Sequence, residues 1–228
     1  MEKVNLQISD EQKLERVKPF LIFNKDGSFT SDFLEWNEGN KLTDECKPLR
    51  WFHGTTKNFN FFHSSKIEEV GFHFGTSEQA NDFVWVPDMI KVTDIVSDQK
   101  PKVIPVSVCM KNPLEMTEPK SWDFVDKTLE VGNHFDDDYP FITELTNALK
   151  GIEIEGKKYN NKKELRSCII KRCKTNEDVR KFLIELGYDG ITYMNTSGQS
   201  DRDKHSVIAF HPWQVRSFFT GEYIWKND

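Results

Sequence analysis

An α+β fold is what the sequence predicts, on three observations. Short strand-like segments gather near the start and the end of the chain, a helical stretch lies between them, and glycine with hydroxyl residues closes the early strands. The early strand signals are Trp51-Phe52-His53-Gly54-Thr55-Thr56 and Gly71-Phe72-His73-Phe74-Gly75-Thr76, each an apolar run broken by one histidine. Glycine there lets a ligand reach the backbone and threonine supplies donors. The two segments therefore read as strands feeding polar groups into one pocket.

Taken in order, Ser9-Asp10-Glu11-Gln12 starts a helix that Pro19 ends, an apolar stretch runs from Phe20 to Phe23, and Lys25-Asp26-Gly27-Ser28 is a turn. A short helix follows over Ser31 to Trp36, and Gly39-Asn40-Lys41 leads by a polar linker to the strand at Arg50 to His53. After the second strand, Thr76 or Ser77 caps a helix toward Trp85, which Pro87 stops. Lys102 to Met110 alternates as a strand, with Pro105 implying an edge or a bulge and Asn112-Pro113 ending it. Apolar residues at helical spacing then predict helices over Trp122 to Val131, Pro140 to Lys150 and Lys162 to Cys173, with Gly151 a helix stop. Thr175-Asn176-Glu177-Asp178 caps another helix through Leu186, ended by Gly187, and strands return at Gly190 to Met194 and Ser206 to Phe210. Residues 1–49 read as an appended element and 50–228 as the main domain, with a helical insertion around 120–175.

Composition narrows the function classes. A chain of 228 residues with 37% hydrophobic content buries one good core, or one core and a small appendage. No apolar run approaches the length of a membrane span, and Met1-Glu2-Lys3-Val4 lacks a signal-peptide layout, so a cytoplasmic protein without a membrane partner is expected. Cys46, Cys109, Cys168 and Cys173 show no CxxC spacing, which predicts free thiols and no metal site. A net charge of −6 argues against a surface that coats nucleic acid throughout. From Lys157 to Lys174, however, eight basic residues face Glu164 alone. Such a run is either a solvated helix face or a patch that meets phosphates or an acidic partner.

The ordered segments Phe52-His53-Gly54-Thr55, Gly71 to Thr76, Ile104-Pro105-Val106 through Lys111-Asn112-Pro113-Leu114, and Gly187-Tyr188-Asp189-Gly190-Ile191 leading to Val207 through Ser217 carry a family resemblance. The chain resembles the ADP-ribosyltransferase superfamily, in particular the small bacterial and phage transferase-like domains of polyvalent proteins, over about Trp51 to Ser217. That resemblance implies a split β-sheet core with peripheral helices and a cleft for NAD, with no metal. It implies that His53 bonds the nicotinamide ribose, that the Gly54 backbone holds the carboxamide with Thr55 beside it, and that His73 takes a ring-stacking position between Phe72 and Phe74, with Tyr193 also lining the cofactor site. His73 reads equally as a strand histidine satisfied by a backbone carbonyl.

One departure stands out. Such transferases place a glutamate at or just before the late strand, where it bonds a ribose hydroxyl and stabilises the positive charge that develops as nicotinamide leaves. This chain has Ser206 at that register, and its preceding loop offers Asp201 and Asp203, with Gln199 a fallback donor. The resemblance implies a mono-ADP-ribosyltransferase acting on a nucleic acid or a protein, with Lys162, Lys163, Arg166 and Lys171 as acceptor contacts. A non-catalytic NAD- or ADP-ribose-binding module and an NAD glycohydrolase stay open beside it. A toxin or a phage-defence effector fits the size, and a toxin implies a neutralising antitoxin partner.

Overall fold

The computed structural model describes residues 20–226 apart from 45–46, 49, 58–61, 64–66, 68, 86–98, 120, 123–139, 195–204 and 223. The expected helices at Ser9 and at Trp122 to Val131 lie outside the described residues in whole or nearly so, as do Cys46, Gln199, Asp201 and Asp203. The chain runs through α1 (Ser31–Trp36), β1 (Thr43–Asp44), β2 (Lys47–Pro48), β3 (Arg50–Lys57), β4 (Phe62–His63), β5 (Phe72–Phe74), α2 (Ser77–Trp85), β6 (Gln99–Val108) and β7 (Pro113–Thr117). It continues with α3 (Pro140–Ala148), β8 (Glu153–Ile154), β9 (Lys157–Lys158), α4 (Lys162–Arg172), α5 (Asn176–Glu185), β10 (Gly190–Met194), β11 (His205–Ala209), β12 (Val215–Ser217) and β13 (Trp225–Lys226).

Two principal sheets carry the fold, one in the order β5-β11-β10-β7 and one in the order β12-β6-β3. They meet where Phe52 and Gly75 exchange two backbone hydrogen bonds of 2.9 Å. The α+β class holds. Period-two alternation decides what each face of the four-stranded sheet buries. Ile191, Tyr193 and Ile208 pack against Phe141, Leu145, Leu165, Ile169, Val179 and Leu183 of α3, α4 and α5 to form the larger core. The opposite face sets Phe72, Phe74, Val207 and Ala209 against Trp51, Val106, Val108 and Val215 of the other sheet.

Local chemistry explains the helix starts. Thr76 Oγ1 accepts from Gln79 N while Gln79 Oε1 accepts from Thr76 N at 2.7 Å, a reciprocal cap that makes Thr76 the residue before α2. Asn161 caps α4, and Thr175 with Asp178 forms the same kind of box ahead of α5. Gly187 takes φ +92° just past α5, which favours glycine.

Pro105 corrects its expectation. It sits in β6, the central strand of its sheet and not an edge, and the one register shift between β3 and β6 falls between Thr55 and Lys57. Pro105 pairs with Phe52, whose N–H and C=O both turn away toward Gly75. No donor is needed from residue 105 on that side, and on the other its carbonyl accepts from Phe218 N at 3.2 Å. Asn112-Pro113 does end β6, but Pro113 opens β7, a parallel neighbour of β10 that the strand pattern did not announce.

Buried Gln214 ties the crossings between the sheets. Its Oε1 accepts from Phe210 N at 3.1 Å and His211 N at 2.9 Å, and its Nε2 donates to Asp189 O at 2.8 Å and Cys109 O at 3.2 Å. Cys109, Cys168 and Cys173 are free thiols.

Candidate functional site

β3 turns Trp51, His53 and Thr55 toward the space between the sheets, so His53 meets the Phe72 and Phe74 face of β5. Its ring lies edge-on to Phe62 at 4.8 Å and to Phe72 at 6.4 Å, and tilted against Phe74 at 5.8 Å. Nδ1 is 2.8 Å from the carbonyl oxygen of His73, an acceptor only, so Nδ1 carries the proton. Burial pushes the imidazole down to about 4, against the raising effect of that hydrogen bond and with help from the charge of His73. At neutral pH the ring is therefore uncharged, and Nε2 presents a lone pair. Such a nitrogen accepts a hydrogen bond from a hydroxyl.

Gly54 follows on the edge of β3. Because Phe52 turns its N–H and C=O to Gly75, Gly54, two residues on, directs its own to that same side. The resemblance explains this glycine by a flat ring approaching the chain. In the structure the position a side chain would take is filled by α2, since a Cβ on Gly54 would overlap the carbonyl oxygen of Ala80. Gly54→Ala is expected to cost about 1–3 kcal/mol by forcing α2 off β3. A urea midpoint equal to wild type would show that the helix shifts freely. Thr55 is buried, and its Oγ1 accepts from Lys57 N at 3.1 Å at the irregularity in the strand.

His73, next to Phe72 and Phe74 in sequence, points to the other face of β5. Its Nδ1 is 3.1 Å from Tyr193 Oη, its Nε2 is 2.5 Å from Glu69 Oε2, and Trp122 stands edge-on at 5.1 Å. Burial raises the Glu69 carboxyl, but the bond to His73 and its charge outweigh that and hold it below the usual glutamate range. Tyr193 pairs across β10 and β11 with Ser206, and burial above all pushes its phenol well up, which keeps it a protonated donor. Ser206 is buried and donates to Gln79 Oε1 at 3.2 Å. The structure thus gathers His73, Tyr193 and Ser206 on one face and His53, Phe72 and Phe74 on the other. The backbone of β5 joins the two groups through the His53 bond to the His73 carbonyl.

The basic segment is largely engaged. Lys162 Nζ donates to Asn147 Oδ1 at 2.8 Å, Arg166 to Thr143 Oγ1 at 3.1 Å, and Arg172 to Glu155 at 2.7 Å and Glu185 at 3.0 Å. Lys157 pairs with Glu164 at 3.1 Å. Lys163 and Lys171 line an open surface depression of about 690 Å³ with Tyr159, Ser167 and Cys168, on the helical layer and away from His53.

A family model described as ADP-ribosyltransferase in polyvalent proteins matches residues 43–222. The chain belongs to that family. No curated protein and no solved structure matches it. The mixed sheets and helices agree with an ADP-ribosyltransferase-like fold, and the match spans both sheets and every side chain of the two groups around β5. Among the described residues no helix is long and apolar enough to cross a membrane, and no three His, Cys, Asp or Glu side chains are grouped as a metal ion requires. Sequence reasoning passed over Glu69, Gln79 and Trp122. For Glu69 the signal was its spacing of four from His73, which suggests a helical pair yet here joins a turn to a strand. For Gln79 it was the Thr76 to Gln79 capping pattern.

Proposed function

We propose that this ADP-ribosyltransferase domain moves ADP-ribose from NAD to a macromolecular acceptor, a protein side chain or a nucleic-acid base. The observation that carries the reading is His53, a neutral imidazole whose Nδ1 is spent on a carbonyl and whose Nε2 is an acceptor, next to the edge-facing backbone of Gly54. That pair suits a ribose hydroxyl and a carboxamide, the two polar handles on the nicotinamide half of NAD. Phe72 and Phe74 supply ring surface beside it, with His73 and Tyr193 behind the strand. Nicotinamide leaves as a neutral base with the glycosidic electron pair, and the acceptor nucleophile then bonds the anomeric carbon. The protein's share is orientation and charge stabilisation.

A nucleic-acid acceptor draws support from Lys163 and Lys171 at the open depression, with Lys162 and Arg166 on the same helix. Action as a cytoplasmic toxin or phage-defence effector, with an antitoxin partner, extends the same reading. A second reading, a module that binds NAD without transferring it, is favoured by Ser206, which is buried and bonded to Gln79 where the family pattern calls for a carboxylate.

Incubation with NAD labelled on the adenylate, with and without cell extract, tests these readings. Label that protease removes marks a protein acceptor, and label that nuclease removes marks a nucleic acid. Free ADP-ribose alone makes the chain a glycohydrolase. Binding without consumption makes it a module, and absence of both overturns the NAD reading.

A further inference from the structure

The transferase reading lacks one component, a carboxylate facing the charge that develops on the ribose, because Ser206 stands at the expected register. The sequence offered Asp201 and Asp203 for that part. A different carboxylate is already built into the fold. Glu69 lies on the turn before β5, with Oε2 2.5 Å from His73 Nε2, and its side chain keeps 44% of its surface in solvent. His73 is in turn held through Nδ1 by Tyr193 Oη at 3.1 Å, and Tyr193 is the cross-strand partner of Ser206.

We infer that Glu69, oriented by His73 and Tyr193, is the catalytic carboxylate of this transferase and takes the place of the glutamate missing from β11. The inference rests on the transferase reading above.

Three features support it. The line of contacts from Glu69 through His73 and Tyr193 ends beside Ser206 and Gln79, the very residues at the vacant register. Glu69 is the exposed end of that line while Tyr193 and Ser206 are buried, so a substrate meets the carboxylate first. The carboxyl is also held in its ionised form by His73, the form that stabilises a cation. The other titratable groups facing this cluster are Tyr193, a protonated phenol, Glu118, whose charge acts on Tyr193, and His53, which senses His73 across the strand.

In the step itself the bond between the anomeric carbon and nicotinamide breaks, nicotinamide keeps the electron pair, and positive charge spreads over the anomeric carbon and ring oxygen. Glu69 faces that charge and accepts a hydrogen bond from a ribose hydroxyl without forming a bond to carbon. The acceptor nucleophile makes the new bond and releases its proton to solvent.

The test measures NAD consumption by wild type, Glu69→Gln and Glu69→Asp, with circular dichroism and melting to confirm folding. Glu69→Gln should lower kcat about 100- to 1,000-fold, the loss seen when one preorganised charge-stabilising group is removed, with KM within about threefold. Glu69→Asp keeps the charge and should recover part of the rate. Wild-type kcat should fall on acidification through a limb below the usual glutamate range, and His73→Gln should move that limb upward. A Glu69→Gln rate within threefold of wild type overturns the assignment, as does loss of activity in an Asp201→Asn, Asp203→Asn double variant while Glu69→Gln stays normal. Wild type that neither binds nor consumes NAD overturns the transferase reading and this assignment together. Normal wild-type turnover with an indifferent Glu69→Gln overturns the assignment alone.

Discussion

Gln214→Ala is expected to lower stability by about 2–4 kcal/mol, the largest single loss we anticipate outside the hydrophobic cores. Four backbone groups lose their partner at once: the N–H groups of Phe210 and His211 and the carbonyls of Asp189 and Cys109. Each such bond contributes about 0.5–1.5 kcal/mol net, and a buried group left unpaired costs more than the bond returned. The residue is 2% exposed, so water does not readily replace the lost amide. Urea unfolding reads the effect directly. A loss under about 1 kcal/mol would mean that the two crossings hold without the side chain.

His53→Ala is expected to reduce NAD turnover by about 100-fold or more, because it removes the acceptor nitrogen that fixes the ribose. The residue is not a bare strand-edge group, since Phe62, Phe72 and Phe74 surround its ring, so the alanine variant should also lose about 1–3 kcal/mol of stability. His53→Gln keeps more of the volume and separates the two effects. Normal turnover in a folded variant of either kind would remove His53 from the site. The ring also sets a pH dependence. Its folded value of about 4 lies below the ordinary 6.5, so the unfolded chain takes up the proton first as pH falls. Stability from this group is complete above about pH 6.5 and declines by about 3 kcal/mol on the way to pH 4, and His53→Gln should flatten that slope.

The elements legible in the sequence were those with their own local chemistry. Asn161, Thr175 and Thr76 advertise helix starts because their side chains bond backbone groups three residues away or fewer. The two histidine strands showed through alternation. What stayed hidden depended on distant partners. Asn112-Pro113 reads as a stop, yet Pro113 tolerates the first position of β7 beside Gly190, where a strand can begin without a donor. Pro105 was misread because its acceptability depends on Phe52 turning to Gly75, a contact across more than twenty residues. The hairpin of β8 and β9 turns on Glu155 at φ +52° and Gly156 at φ +79°, and glutamate is an uncommon choice for such a turn. Of the candidate site, His53 and Gly54 were visible as residues, but that His53 and His73 serve opposite faces of β5 appears only once the strand is paired. Glu69 was hidden for the same reason, since its meaning comes from the ring it touches.

The family pattern begins at residue 43, but the folding unit does not. Arg216, 1% exposed in β12, lies with its guanidinium 4.0 Å from the ring of Phe20 and 5.4 Å from that of Trp36, and donates to Gly221 O at 3.0 Å. Gly221 has room for Phe20 only because it lacks a Cβ. Asn40 closes the end of β6 by bonding Val108 O and Met110 N, and Trp36 Nε1 reaches Trp213 O. A fragment cut to the recurring boundaries would therefore uncover a cation and an aromatic bed together, on the back of the strand pair that presents His53. What evolution repeats as a module and what physics requires as a soluble body differ here by the two dozen residues or so that shield Arg216.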